Sequence, residues 1–208
     1  MSFIWPQVLE RCYSELNGKL EVALENGRLV LNSANSNYSY GSLQKVFETA
    51  FRLVPPSIPE NGKILMLGMG GGCVVPLIQQ MVGSDALIHA VEVDPEVVRL
   101  GRKYFPEAYA EIYLTEADAM DFLATAGESF DLILVDLFID RELAPGCLSD
   151  NFIDLLARAL APEGVLYHNL MLGEDGLEEA LSSYRKSFDH LRLLRVLTLN
   201  QMIIARQG

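Results

Sequence analysis

The chain is short of the residues that build metal centres and disulfide frameworks, with three cysteines and three histidines in 208 residues. Cys12, Cys73 and Cys147 lie far apart and none belongs to a C-x-x-C pair, so neither a zinc knuckle nor a dithiol redox motif is written here. Sparse, odd cysteine usage fits a reducing compartment. No set of histidine, cysteine and carboxylate residues has ligand spacing, so no metal is expected. A G-x-S-x-G nucleophile motif is also missing. No stretch approaches the ~18–20 apolar residues of a membrane span. Met1-Ser2-Phe3-Ile4-Trp5-Pro6, followed by Glu10 and Arg11, lacks the apolar core of a signal peptide. These absences predict a cytoplasmic protein with no membrane partner. Positive charge is scarce as well: 16 Lys and Arg stand against 28 Asp and Glu, a net charge of −12. Such a field repels polyphosphate, which argues against a nucleic-acid partner and suits a cationic or neutral small molecule.

Half of the residues are apolar, which excludes a disordered or collagen-like chain. Domains of ~150 residues already hide roughly 70% of their unfolded surface, so a core without covalent staples is expected. Internal repeats and low-complexity tracts are absent. Pro55-Pro56-Ser57-Ile58-Pro59-Glu60-Asn61-Gly62 marks a connection, because proline lacks a donor and fixes φ. It divides the chain into an N-terminal extension, 1–58, and a larger domain, 59–208. Within the extension, Lys19 to Leu31 holds two apolar-rich runs around Asn26-Gly27, a hairpin signal. Leu43, Val46, Phe47, Ala50 and Phe51 recur at three and four, which predicts a helix over Ser42 to Leu53.

Beyond the break, strand and helix patterns alternate. Strands are expected at Ile64–Leu67, Leu87–Val93, Ile112–Leu114, Phe130–Asp136 and Val165–Leu170. Helices are expected at Val74–Val82, after Asp94-Pro95, after Asp118, from Ser149 to Leu160 and over Glu178–Phe188. Two closing strands, Leu191–Leu197 and Gln201–Ala205, have no helix between them and should pair antiparallel. Alternation of this kind predicts an α/β fold, a mostly parallel sheet with helices on both faces.

Four features sit after four successive strands, whose carboxyl ends converge on one crevice in an open α/β sheet. Gly68-Met69-Gly70-Gly71-Gly72 follows a buried strand and opens a helix, where glycine admits close backbone approach and free N–H groups face a ligand. A tight structural turn is the plainer reading. Glu92 ends the next strand and can accept from a ribose diol, or is simply a strand-end acid. Asp118 could accept from an adenine amine, cap the following helix, or do both. Asp136 ends an apolar strand and could take a proton or bind an amine. Together they point to an adenosine-containing cofactor. A dinucleotide loop would want Gly or Ala where Cys73 stands, and its sheet is all parallel, so an NAD-dependent oxidoreductase is disfavoured. His168, beside Tyr167 on an apolar strand, reads more simply as a core residue than as a base.

Gly68, Gly70 and Gly72 in G-x-G-x-G spacing, with the antiparallel ending, resemble class I S-adenosylmethionine-dependent methyltransferases. From about Asn26 to Leu170 the chain resembles one branch of that fold, the spermidine synthase-like, or polyamine aminopropyltransferase, family. Arg28-Leu29-Val30-Leu31 with Tyr38-Ser39-Tyr40 is similar to its N-terminal hairpin and substrate-side tyrosine, which would put Tyr40 at the active site. The resemblance implies ribose binding at Glu92, adenine binding in Ala117-Asp118-Ala119, and a catalytic acid at Asp136. It also implies an acceptor-pocket amide at Asn169 and a homodimer through the N-terminal hairpin. The implied architecture is a Rossmann-like, seven-stranded, mostly parallel sheet whose last strand is antiparallel.

Three departures bear on the reaction. Gly71 stands where the family carries an acid that would pair with an amine and repel a carboxylate. Ile139 stands where a second acid is usual, with Asp140 one residue later. The C-terminal acceptor-binding segment of the family is not matched. The expected activity is therefore transfer from S-adenosylmethionine, or its decarboxylated form, to a small acceptor that could be an amine. Gly71 and Ile139 tilt this expectation towards methyl transfer. Aminopropyl transfer to a polyamine is the alternative, and a non-catalytic nucleoside-binding protein a further one.

Overall fold

In the computed structural model of the chain, residues 6–34, 42–82, 86–197 and 199–208 are described. Three antiparallel strands come first: β1 (Gln7–Ser14), β2 (Gly18–Glu25) and β3 (Arg28–Asn32), in the order β1-β2-β3. The β2–β3 turn is Asn26-Gly27 with φ of 50° and 79°, the left-handed pair that a tight hairpin turn requires. The sequence pattern covers only β2 and β3, and β1 completes a small sheet. Next is α1 (Ser42–Leu53), with the bounds its spacing predicts.

The larger unit runs β4 (Lys63–Leu67), α2 (Val75–Val82), β5 (Leu87–Glu92), α3 (Pro95–Tyr104), α4 (Pro106–Ala110), β6 (Tyr113–Glu116), α5 (Ala119–Thr125) and β7 (Phe130–Val135). It continues with β8 (Phe138–Ile139), β9 (Glu142–Leu143), α6 (Asp150–Ala159), β10 (Leu160–Leu170), α7 (Glu174–Ser187), β11 (His190–Arg195) and β12 (Gln201–Arg206). Seven of these strands form one sheet in the order β11-β12-β10-β7-β4-β5-β6. The pairs from β10 to β6 are parallel, whereas β12 runs antiparallel to both β10 and β11. This is the α/β architecture expected from the sequence, including its closing hairpin. From β4 the chain runs outward through β5 and β6 on one side and then returns to β7 on the other, so the crevice falls between β4 and β7.

Period-two alternation divides the core between the two faces of the sheet. Leu65, Leu67, Ile133, Val135 and Leu166 pack with α6 and α7 through Phe152, Leu156 and Tyr184. Ile64, Met66, Leu132, Leu134 and Tyr167 pack with α1 and α2 through Phe47, Phe51, Val75 and Ile78. The Tyr167 hydroxyl donates to the Val54 carbonyl at 2.5 Å, and its ring meets Phe51 edge-on at 5.0 Å. α1, which the sequence division groups with the extension, thus packs on the large sheet. His168 is fully buried, its Nδ1 2.6 Å from the Tyr184 hydroxyl, and burial pushes its pKa down to about 3. It is a neutral core residue.

The small sheet docks on α3. Leu20, Val22 and Leu31 pack against Val97 and Leu100. Glu10 takes Arg99 at 2.7 Å, Lys103 at 2.6 Å and the Tyr104 hydroxyl at 2.8 Å. Asp94 caps α3, its Oδ1 accepting from Glu96 N–H at 2.9 Å and Val97 N–H at 3.4 Å. Its Oδ2 accepts from the Ser14 hydroxyl and, at 2.6 Å, from Asn17 Nδ2. One buried carboxylate thereby joins the helix start to the β1–β2 turn. Among the described residues no helix is long and apolar enough to cross a membrane.

Candidate active site

A cleft of about 1200 Å³ opens at the carboxyl ends of β4, β5, β7 and β10, with β2 and β3 as its roof. That volume is ample for a nucleoside-sized ligand with a small second molecule beside it. Gly68, Gly70, Glu92, Asp118, Ala119, Asp136 and Asn169 all line it. Five separate segments of sequence therefore meet in one place, as the sheet topology predicts. Gly72 does not line the cleft. A Cβ there would lie 2.9 Å from Ala108 Cβ and from Met69 Cε, so this glycine admits α4 instead. Tyr40 lies outside the described residues.

The glycine loop is held from three sides. Gly68 N–H donates to Val91 O at 2.9 Å, and Asp136 N–H donates to Leu67 O at 2.9 Å, continuing the ladders past the strand ends. Glu92 is buried and grips the loop: its Oε2 accepts from Met69 N–H at 3.0 Å and Gly70 N–H at 3.1 Å. Its Oε1 accepts from Val93 N–H at 3.0 Å and Asp94 N–H at 3.1 Å. Burial raises the Glu92 pKa, and the Asp94, Gly70 and Met69 N–H donors oppose the rise. On the third side, the Tyr109 hydroxyl donates to Gly70 O at 2.8 Å.

Asp118 is exposed and caps α5, its Oδ1 accepting from Met120 N–H at 2.8 Å and Asp121 N–H at 3.2 Å. The capping reading is thus real, and it engages Oδ1 alone. Ala119, buried, begins the same helix.

Asp136 stands at the centre of the floor. Asn169 Nδ2 donates to its Oδ1 at 2.8 Å, and Asn200 Nδ2 donates to Asn169 Oδ1 at 3.0 Å. Burial pushes the Asp136 pKa up to about 6; the Asn169 bond opposes this and the Glu92 charge adds to it. The neighbouring Cys73 thiol is pushed up to about 12, mostly by burial, which disfavours its thiolate.

On the far side of Asp136 the wall is largely apolar, formed by Leu137, Phe138, Ile139, Met171, Leu197 and Leu199. Asp140 also lines the cleft, at φ 55°, with the Ser33 hydroxyl donating to its Oδ1 at 2.5 Å. From the roof come Lys19, Glu21 and Asn32. Asn32 Nδ2 donates to Glu25 Oε1 at 2.9 Å, while its buried Oδ1 has no hydrogen-bond partner among the described residues. The roof residues and Asn200 escape sequence reasoning, since no local motif marks them. Tyr109 leaves one trace, a glycine at 101 inside a helix. Among the described residues, no three His, Cys, Asp or Glu side chains are grouped to hold a metal ion.

Comparison with known proteins bears on the family and the fold. The family model described as spermine/spermidine synthase domain matches residues 48–191. A polyamine aminopropyltransferase of Chromobacterium violaceum is 33% identical over 113 residues, covering 53% of this chain and 43% of the relative. The match thus spans less than half of that relative's length. The crystal structure of spermidine synthase from Thermotoga maritima superposes with a TM-score of 0.74 at 16% identity, covering 97% of this chain and 73% of the other. Human methyltransferase-like protein 13, in complex with SAH, gives 0.62 at 23% identity, covering 80% and 78%. At such identities these two structures establish the fold alone.

Proposed function

The chain belongs to the spermine/spermidine synthase family, and from that premise we propose that it transfers an aminopropyl group from decarboxylated S-adenosylmethionine to a small amine. The sequence tilt towards methyl transfer is outweighed, because the family match and the aminopropyltransferase relative favour the alternative.

The observation that carries the reading is Asp136: a carboxylate with a pKa near 6, bonded on one oxygen by Asn169, beside the glycine loop and the apolar wall. A sulfonium supplies an electrophilic carbon, so the protein's own task is alignment and proton removal. An amine arrives as ammonium, with a pKa of about 10 in water. It cannot attack until a proton leaves its nitrogen. Ionised Asp136 would bind that ammonium, orient it and accept the proton. Gly68 and Gly70 would let the amino-acid end approach the backbone. Asp118 Oδ2 and the start of α5 at Ala119 would meet the adenine. Glu92 already has four donors, about the capacity of a carboxylate. Ribose hydroxyls would therefore replace Met69 and Gly70 N–H on Oε2, and the loop would yield as they bind.

Gly71 favours a second reading. With no acid there to repel a carboxylate, S-adenosylmethionine itself could enter and donate its methyl group to the same acceptor.

Calorimetric titration with both cofactor forms separates the readings. Tighter binding of the decarboxylated form is expected. Preference for the carboxylated form would favour methyl transfer, and binding of neither would overturn the nucleoside-pocket assignment.

A further inference from the structure

We infer that Asn200, in the turn between β11 and β12, is a positioning residue that fixes the Asn169 amide and through it the Asp136 carboxylate. The inference deepens the role given to Asp136 and rests on that reading for its consequence in turnover, but not for its geometry.

An asparagine amide has two ends of nearly the same shape and opposite hydrogen-bonding character. Asn169 is 2% exposed, so neither end can turn to water. An ionised Asp136 only accepts, so Asn169 must face it with Nδ2, as it does at 2.8 Å. Its Oδ1 then needs a donor, and Asn200 Nδ2 supplies one at 3.0 Å. If that donor is lost, the amide can turn over and set an oxygen lone pair against the carboxylate.

The closing hairpin holds Asn200 in place. Leu170 pairs with Gln201 and Asn169 with Met202, so Asn200 falls just past the end of the β10–β12 ladder. Gln201 clamps that end, its Nε2 donating to Leu172 O at 3.0 Å and its Oε1 accepting from Leu172 N–H at 3.1 Å. Val196 N–H donates to Asn200 O at 3.0 Å and closes the turn. The antiparallel strand pair, an architectural signature in the sequence, here delivers a polar group to the cleft floor.

The titratable groups that act on Asp136 are Glu92, at the end of β5, and the Cys73 thiol, ahead of α2. Neither is hydrogen-bonded to Asn200, so an uncharged substitution at 200 reaches Asp136 through Asn169.

The test is ¹³C NMR titration of the Asp136 carboxyl, identified by the signal that disappears in Asp136→Asn. Asn200→Leu keeps roughly the volume of the side chain, removes the donor and adds no charge. The Asp136 pKa should rise by about half a unit in both Asn200→Leu and Asn200→Ala. In an Asn169→Leu background, Asn200→Ala should add no further shift. Thermal unfolding by circular dichroism checks that each variant is folded, and Asn200→Ala retains the test if the Leu variant is not. Unchanged Asp136 titration in the folded variants would overturn the inference, as would a full Asn200→Ala shift without the Asn169 amide. The acid limb of kcat/KM should move upward with the NMR pKa. If the pKa moves and the acid limb does not, the role of Asp136 in turnover fails while the positioning by Asn200 stands.

Discussion

Gly68 lies directly against the backbone of Asp136: a Cβ at position 68 would stand 2.2 Å from the Asp136 carbonyl oxygen, and the residue has a φ of 87°. The glycine loop and the strand end that carries the acid are thus one packed unit. Gly68→Ala should therefore damage both. The left-handed backbone alone costs about 1–2 kcal/mol for a non-glycine residue, and the contact with backbone oxygen adds to it. Denaturant unfolding should show a loss of about 2 kcal/mol or more, and nucleoside affinity should fall with it. Wild-type stability in this variant would contradict the packing described.

Asp136 should carry a stability cost at neutral pH. Its folded pKa of about 6 exceeds the ordinary 3.8, so the native state holds the proton more tightly. The protein is then relatively favoured below about pH 4 and loses that contribution as pH rises through about 6. Asp136→Asn removes the titration while leaving an oxygen to accept from Asn169. Urea denaturation should find the variant more stable by on the order of 2 kcal/mol at pH 8, with the difference vanishing near pH 4. Its turnover should fall about 10²–10⁴-fold, the range for loss of a general base. In the parent protein, kcat/KM for the proposed transfer should rise with pH through about 6.

Glu92 predicts an exchange of partners. Met69 and Gly70 N–H donate to its Oε2, and ribose hydroxyls would take their place. The amide resonances of residues 69 and 70 should shift strongly on nucleoside titration, while those of Val93 and Asp94, bonded to Oε1, change little. Glu92→Ala should weaken binding by roughly 1.5–3 kcal/mol, the scale of hydrogen bonds to a charged group. Unmoved amides at 69 and 70 would mean that ribose is held elsewhere.

Gly101 and Tyr109 make an unusual helix prediction. Alanine normally stabilises a helix interior by about 1 kcal/mol over glycine. At 101, however, a Cβ would meet the Tyr109 ring at 2.0 Å. Gly101→Ala should lower the melting temperature, not raise it. Tyr109→Phe, which deletes only the hydroxyl on Gly70 O, should cost about 1 kcal/mol. A stabilised Gly101→Ala protein would show that Tyr109 is not wedged there.

Much of this fold is legible in the sequence because its signals are local. Asn26-Gly27 writes its own turn, Asp94-Pro95 its own helix start, and Ile64 to Leu67 a strand buried on both faces. β1 is hidden because it is an edge strand whose inward positions include Glu10 and Cys12, so it lacks apolar alternation. β8 and β9 have two residues each, too few for any period. At the site, strand ends reveal Glu92, Asp118 and Asp136, since topology alone gathers them. Gly72 follows the motif but answers to Ala108 and Met69 in packing. Asn200 is invisible because its partner stands 31 residues away and the pair means nothing until β10 and β12 are in register.

The most direct measurement incubates the purified protein with decarboxylated S-adenosylmethionine and putrescine, and in parallel with S-adenosylmethionine and putrescine, and resolves the nucleoside products by mass spectrometry. Aminopropyl transfer predicts 5′-methylthioadenosine and an amine longer by one aminopropyl group in the first reaction, both lost in Asp136→Asn. S-adenosylhomocysteine and a methylated amine in the second reaction, with no product in the first, would contradict the account.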